Sequence, residues 1–437
     1  MSAEPNAQEA LPRSSFAILF GVSLAMAIGN TGLISVLPAI GRSIGIPDYL
    51  VAAVFSLSAL LWAVASPVWA RASDRRGRKP MILLGMAGYM VSMTLCAIVV
   101  SAGLAHLAAP MVIFFSFLLA RAIFGFFGAA SNPATQAYIA ERTAPEKRTQ
   151  SMSSLAGAFG LGTVIGPFLA PMFVLPGVGL AGPMYAFAAI AAGMLLVVWR
   201  YLPESNPDPE VARAARERKA SGTREPGIWR DPRVQPFLIY GLIVASCQTA
   251  QTQTLGFLII DKLQLSPVAA QGFIAIAMMF GAVAGLLAQW GIIRMFDMTP
   301  RQLLRWGVAV AAAGNLVVAL APDYWIAVAG FAIASLGFGF ARPGFTAGAS
   351  LAVDMGEQAR VAGAIAAVNG ITVVLAPAFV RLYQEAHAAP FYLNLVLMLA
   401  MLAYAFRNAQ LRTADPKLAG REVSAMAGLE RADEGGG

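Results

Sequence analysis

The chain has 437 residues, 58% of them hydrophobic and only 12% charged, with a mean hydropathy of +0.67; that balance excludes an ordinary soluble domain and fits a polytopic membrane protein. A net charge of +8 would suit a nucleic-acid partner if the basic residues formed one surface. They collect instead in short loops between apolar runs, so no nucleic-acid partner is expected.

A bilayer core about 30 Å thick takes roughly 20 helical residues. Twelve runs of that length are predicted, at 15–40, 50–70, 81–103, 110–136, 151–174, 182–201, 234–260, 267–292, 302–321, 325–347, 360–384 and 389–407. The first is too long for the apolar part of a signal peptide and is kept as a span. The predicted fold is therefore all-α, with twelve transmembrane helices in two pseudo-symmetric six-helix bundles, 15–201 and 234–407. A linker at 202–233 joins them, and tails at 1–14 and 408–437 flank them. Cys96 and Cys247 fall inside apolar runs, as small core residues rather than a disulfide or a metal pair.

With both termini cytoplasmic, only Arg42, Lys262 and Arg381 of the 31 basic residues lie in outer loops, while Arg121 and Arg342 lie inside spans. All the others face the cytoplasm, where Lys and Arg are retained during insertion. The acidic residues all fall outside the span interiors. Asp48, Asp261, Asp323 and Glu385 are placed on the outer side and the rest on the cytoplasmic side, Asp74 and Asp354 among them. A proton-carrying carboxylate would then be Asp48 or Asp261, at a helix end, or coupling would use a different arrangement.

In chain order, the first chemically distinct stretch is Ala70 to Pro80, a basic turn between spans two and three. Gly77 permits a tight turn, Asp74 can face an opposing helix terminus, and Arg75 or Arg78 can pair with a carboxylate. Arg121 lies about 11 residues into its span, roughly 16 Å deep, where a charge is costly and points to coupling or substrate contact. Satisfaction by backbone carbonyls and neutral neighbours is the structural alternative. In span five, Gly162 and Gly166 stand at i and i+4, which lets helices approach closely, and Pro167 bends the span.

The linker carries Asp208-Pro209-Glu210 before a run of helix formers, which predicts a short surface helix able to meet anionic headgroups, or a plain solvated connection. Span seven is unusually polar. Its Gln248, Gln251 and Thr252 recur at i, i+3 and i+4 and share one face, which should avoid lipid. Arg342 falls near the cytoplasmic edge of span ten and is expected to snorkel to water. The halves echo each other faintly, Gly160–Pro167 with Gly370–Pro377, and Glu141 and Arg148 with Asp354 and Arg360.

Asp74-Arg75-Arg76-Gly77-Arg78-Lys79 resembles the signature loop of the major facilitator superfamily, with Ala70 where that family has Gly. Arg121-Ala-Ile-Phe-Gly125 resembles its fourth-span motif, with Phe124 at a position often polar. Gly162-Thr-Val-Ile-Gly166-Pro167 is similar to the fifth-span motif of the drug:proton antiporter branch, although Ala170 and Pro171 replace paired glycines. The resemblance implies a cavity lined by spans one, four, seven and ten, so that Asn30, Arg121 and the Gln248, Gln251 and Thr252 face look into it. It also implies that Glu141 is the partner of the basic loop, and that the functional unit is a monomer.

The function expected is secondary active transport by alternating access, with a proton-coupled exporter of small amphipathic molecules as the leading form. Asp74, Arg75, Gly77, Arg78, Glu141, Gly162, Gly166 and Pro167 would then serve gating, Arg121 coupling, and Asn30, Arg121, Gln248, Gln251 and Thr252 substrate binding. Uptake or exchange of an organic anion is the alternative, motivated by Arg121 without an embedded carboxylate. A non-transporting sensor is a third. His106 and His387 lie in outer loops, and there is neither an HExxH nor a P-loop, so no catalytic residue, metal or cofactor is expected. The partners expected are a small molecule, a proton and membrane lipid, in a bacterial inner membrane.

Overall fold

The computed structural model describes residues 12–143, 145–204, 228–353 and 357–413. The predicted linker helix and Asp354 lie outside these residues, as do most of both tails and the side chain of Arg148. Among the described residues every regular element is helical, apart from an isolated antiparallel bridge between Leu175 and Gly179. Eleven helices are long and apolar enough to cross a membrane. The remaining predicted span is the helix Gln235–Leu263, whose 29 residues are ample in length. Its Gln and Thr run lowers the hydropathy that would otherwise mark it.

Two compact units are present, one drawing on Met1–Arg224, Thr252–Met279 and Val373–His387, the other on Glu225–Gln251, Phe280–Thr372 and Ala388–Gly437. The first contains α1 (Arg13–Ile44), α2 (Asp48–Arg76), α3 (Arg78–Leu104) and α4 (Pro110–Phe127). A 3₁₀ turn at Gly128–Ala130 carries α4 into α5 (Ser131–Arg142), and α6 (Pro145–Leu169) and α7 (Gly182–Tyr201) follow. It also holds the end of α8 (Gln235–Leu263), the start of α9 (Pro267–Leu286) and a later short helix.

Local sequence explains the joints. Gly45 ends α1 in the left-handed region at φ 84°, and Pro47 then leads into α2, with Asp48 in its first turn. The basic stretch after Ala70 departs from expectation: α2 runs on to Arg76 and α3 starts at Arg78, so the turn is Gly77 alone. Arg75 and Arg76 favour that extension because cations in a last helical turn oppose the helix dipole. Gly77 adopts φ 95°, and a Cβ there would stand 2.7 Å from a carboxylate oxygen of Glu204. Burial on α4 sorts by face: Val112, Phe115 and Leu119 are exposed, as lipid-facing residues are, while Phe117, Ala120, Arg121 and Phe124 are buried.

The second unit contains the remainder of α8 and α9, a π-helical segment at Leu287–Ile292, and α10 (Ile293–Met295). Then come α11 (Pro300–Leu320), α12 (Tyr324–Leu351) and most of α13 (Gln358–Val374), followed by α15 (Ala389–Arg407) and α16 (Ala409–Thr413). α14 (Ala376–Glu385) belongs to the first unit. The core of the second unit gathers Phe237, Tyr240, Leu304, Val308, Phe338 and Phe345. Cys96 and Cys247 are buried free thiols, one in each unit. In the polar loop before α8, Arg233 pairs with Asp231 at 2.7 Å and with Glu357 at 3.0 Å. Its hydrogen bonds hold the Asp231 carboxyl below the usual carboxylate range.

Candidate functional site

Arg121 is the most deeply buried cation among the described residues of the first unit, with 1% of its surface exposed. One guanidinium nitrogen donates to Asn30 Oδ1 on α1 at 2.9 Å. The group lies over the rings of Phe124, at 4.6 Å, and Phe55, at 5.4 Å, which stabilise it by cation–π attraction. Tyr89 packs on Phe124 from α3. Ser58 on α2 donates to the Arg121 carbonyl at 2.6 Å and Ser92 on α3 to that of Ala120 at 2.7 Å, which fixes the backbone under the side chain. Nε and Nη1 of Arg121 are buried without a hydrogen-bond acceptor, and no ion pair engages it among the described residues. A buried donor left unpaired costs about 1–3 kcal/mol. The arrangement suits an anionic or carbonyl oxygen.

Asn30 is positioned by the packing of α1 on α6. Thr31 Oγ1 donates to the Gly162 carbonyl at 3.0 Å, one residue from Asn30. A Cβ on Gly166 would meet Thr31 Oγ1 and stand 2.8 Å from the Gly32 nitrogen, and one on Gly162 would overlap Ala27. The spacing of these two glycines therefore serves a close helix approach, and Pro167 follows within the same helix.

At the Gly77 joint, Arg78 is buried and binds two carboxylates. Its Nη1 donates to Asp74 at 2.7 Å and its Nε to Glu141, at the end of α5, at 3.1 Å; Ser73 accepts from it as well. The structure thus brings together Asp74, Arg78 and Glu141, while Arg75 is exposed and makes no ion pair among the described residues. Sequence reasoning missed Glu204. Its carboxylate accepts from the Lys79 backbone at 3.3 Å, and its carbonyl accepts from Arg142 at 2.8 Å.

A second charged cluster forms at the opposite ends of α1 and α2. Arg42 donates to Asp48 through Nη2 at 2.8 Å and Nε at 3.3 Å, and to both carboxylate oxygens of Asp261 on α8. The guanidinium is thus held in two bidentate contacts. Tyr383 on α14 donates its hydroxyl to Asp261 at 2.6 Å. His387 stacks on Tyr383, with ring centroids 4.9 Å apart, and its Nε2 lies 3.8 Å from Asp261. Asp48 and Asp261 are visible in the sequence as helix-end acids. Their convergence on Arg42 is not, because 219 positions separate Arg42 from Asp261.

In the second unit, Gln251 is buried and donates to the Phe331 carbonyl at 3.2 Å. Asn315 donates to Gln251 Oε1 at 3.4 Å, and Asn394 to Asn315 Oδ1 at 3.0 Å, so one polar chain links α8, α11, α12 and α15. Gln248 and Thr252 are half-buried neighbours on the same helix, Thr252 falling in the first unit. Arg342 is exposed and donates to Asn369 at 3.2 Å.

The profile of the Major Facilitator Superfamily matches residues 19–377. Over 150 residues the chain is 31% identical to the efflux pump azaK of Aspergillus niger, which takes in 34% of this chain and 29% of that protein. Over 396 residues it is 24% identical to the class C tetracycline resistance protein of Escherichia coli, covering 85% of this chain and 90% of that protein. Among solved structures, the human organic anion transporter MFSD10 matches with a TM-score of 0.63 at 19% identity, over 90% of this chain and 99% of that one. A peptide transporter POT in complex with sulfate matches with a TM-score of 0.70 at 15% identity, over 93% and 98%. At such identities these two structures bear on the fold alone.

Proposed function

Since this chain belongs to the major facilitator superfamily, we propose that it is a secondary active transporter working by alternating access, and that it exports small amphipathic molecules in exchange for protons. Export is supported by the names of its relatives, an efflux pump and a tetracycline resistance protein. The observation that carries proton coupling is the Arg42 cluster. There Asp48 and Asp261 share one guanidinium, and Asp261 receives a tyrosine hydroxyl besides. Protonating Asp261 removes its charge from Arg42 and loosens α8 and α14 from the end of α1. Deprotonation restores the contacts, so proton movement is tied to opening and closing on this side.

On the basic side, Asp74, Arg78 and Glu141 form the corresponding latch, with Gly77 as its turn and Arg75 as a solvent-facing charge. Gly162, Gly166 and Pro167 let α6 slide and bend against α1. Substrate is recognised at Arg121 and Asn30 in the first unit. The protein acts as a monomer in a bacterial inner membrane with both termini cytoplasmic. Purified protein in liposomes, given a pH jump and tetracycline first and then a panel of amphipathic compounds, should move cargo against proton flow. Absence of proton-linked movement across the panel overturns this reading.

A second reading, exchange of an organic anion, is favoured by one observation: buried Arg121 keeps two nitrogens without acceptors. Arg121→Gln then abolishes binding of anions and spares neutral compounds. Equal loss for both classes removes this version.

A further inference from the structure

In the second unit, the surface shared by α11 and α15 carries charge that has no carboxylate partner among the described residues. A groove of about 520 Å³ opens there, lined by Arg301, Arg305, Trp306, Ala309, Leu402 and Phe406. Arg301 and Arg305 stand at i and i+4 in the first two turns of α11, so their side chains emerge one above the other, about 6 Å apart along the axis. The first backbone donors of α11 do not attract an anion on their own account. Thr299 and Gln302 form a capping box and satisfy that end of the helix.

The guanidinium of Arg305 lies 4.1 Å over the ring of Phe406. Its Nε is buried and has no acceptor. Among the described residues, the charged groups that act on it are Arg301 and Arg412, both cations. Arg412 arrives on α16, which packs against α11. Among the described residues no carboxylate pairs with any of the three. Asp297, the acid nearest Arg301 in sequence, does not line the groove. Three like charges held together without a counter-ion are unfavourable unless an anion joins them.

The other wall of the groove says which anion. Trp306 is 60% exposed and Phe406 53% exposed, and Leu402 and Ala309 continue the apolar surface along the two spans. Such a surface next to a charge suits a molecule with a phosphate at one end and hydrocarbon at the other. The depth agrees, because Arg301 and Arg305 sit at the start of α11 and Arg412 just beyond the end of α15, where headgroups meet the hydrocarbon core. This is also the side that carries the basic loops.

We infer that the α11 and α15 groove binds the headgroup of an anionic phospholipid, its phosphodiester accepting hydrogen bonds from Arg301 and Arg305 with Arg412 adding charge. The acyl chains run along Ala309, Leu402 and Trp306. The site is separate from the transport machinery and stands whatever the cargo is.

The test is native mass spectrometry of the purified full chain in detergent containing equal amounts of phosphatidylglycerol and phosphatidylcholine. The parent protein should retain the anionic lipid in preference. Removing both guanidiniums, by Arg301→Gln with Arg305→Gln, should reduce that preference by roughly 25-fold, about fivefold for each. An equal-charge control on the same side, Arg71→Gln with Arg200→Gln, should leave the preference at the parent level. Arg305→Lys, which keeps the charge and loses the planar fork, should fall between the two. A melting temperature in phosphatidylcholine micelles equal to that of the parent shows that the double variant is folded. Equal retention of the two lipids by the parent, or equal loss in the control, overturns the site. Displacement of the lipid by an equal concentration of inorganic phosphate also overturns it, since the groove would then be a site for free phosphate.

Discussion

Arg42 and Arg121 are both largely withdrawn from water within the same compact unit, yet their surroundings are opposites. Arg42 sits in the last turn of α1, where the helix dipole already favours a cation, and two carboxylates close on it. Arg121 sits in mid-helix, with an asparagine, two aromatic faces and no carboxylate. A fully paired charge is a structural joint whose strength a proton can change. An incompletely paired one is a recognition element, because its donors gain most when an acceptor arrives from outside. Under the function proposed above, coupling belongs to the first region and cargo to the second.

The comparison is sharpest in stability and activity taken together. Arg42→Met strands Asp48 and Asp261 beside each other and should destabilise the protein by roughly 3 kcal/mol, lowering its melting temperature. Arg121→Met removes a desolvated charge that lacks a carboxylate, so the melting temperature should hold or rise. Transport in liposomes should nevertheless fall by about 100-fold, the scale expected when a buried charge contact to a ligand is truncated. Parallel falls in melting temperature for the two variants would erase the distinction.

A narrower experiment separates coupling from recognition. Asp261→Asn keeps the shape of the cluster and the Tyr383 contact geometry while removing the titrating carboxylate. Exchange of cargo across liposomes without a pH gradient should persist, and uphill movement driven by a proton gradient should be lost. Arg121→Met should lose both. If Asp261→Asn retains gradient-driven movement, the proton is carried elsewhere.

On the basic side, a double-mutant cycle between Arg78 and Glu141 should give a coupling energy above about 1 kcal/mol in stability, since the two are in direct contact. The same cycle between Arg75 and Glu141 should give none, because Arg75 faces solvent and is not paired with Glu141. Both arginines flank Gly77, and only the structure distinguishes them.

How much of this was legible in the sequence follows from how local each feature is. The spans were legible because each hydrophobic run is continuous, and the turn at Gly77 because a short motif encodes it. The extent of α2 was misjudged: charged residues read as loop, although a last helical turn accepts cations. The role of Gln251 was partly legible. Its face was marked as hidden from lipid, but its partners Asn315 and Asn394 come from distant helices. The Arg42 cluster was least legible, since four helices and His387, two residues beyond α14, supply its members and no periodicity links them.

The smallest expected effect converts one region into the other. Asn30 already accepts from Arg121 at 2.9 Å, so Asn30→Asp places a carboxylate where an amide oxygen now stands, with almost no change in volume. Arg121 then acquires the kind of partner that Arg42 has. Stability should rise by about 1 kcal/mol, the gain of a charge-assisted over a neutral hydrogen bond, after allowance for desolvating the new carboxylate. Affinity should fall for anionic compounds, which now compete with an internal carboxylate, and should change little for neutral ones. Binding measured on the purified protein with matched neutral and anionic compounds reads this directly. Unchanged anion affinity would mean that cargo does not approach Arg121 from the side of Asn30, and the recognition role would then rest on Nε and Nη1 alone.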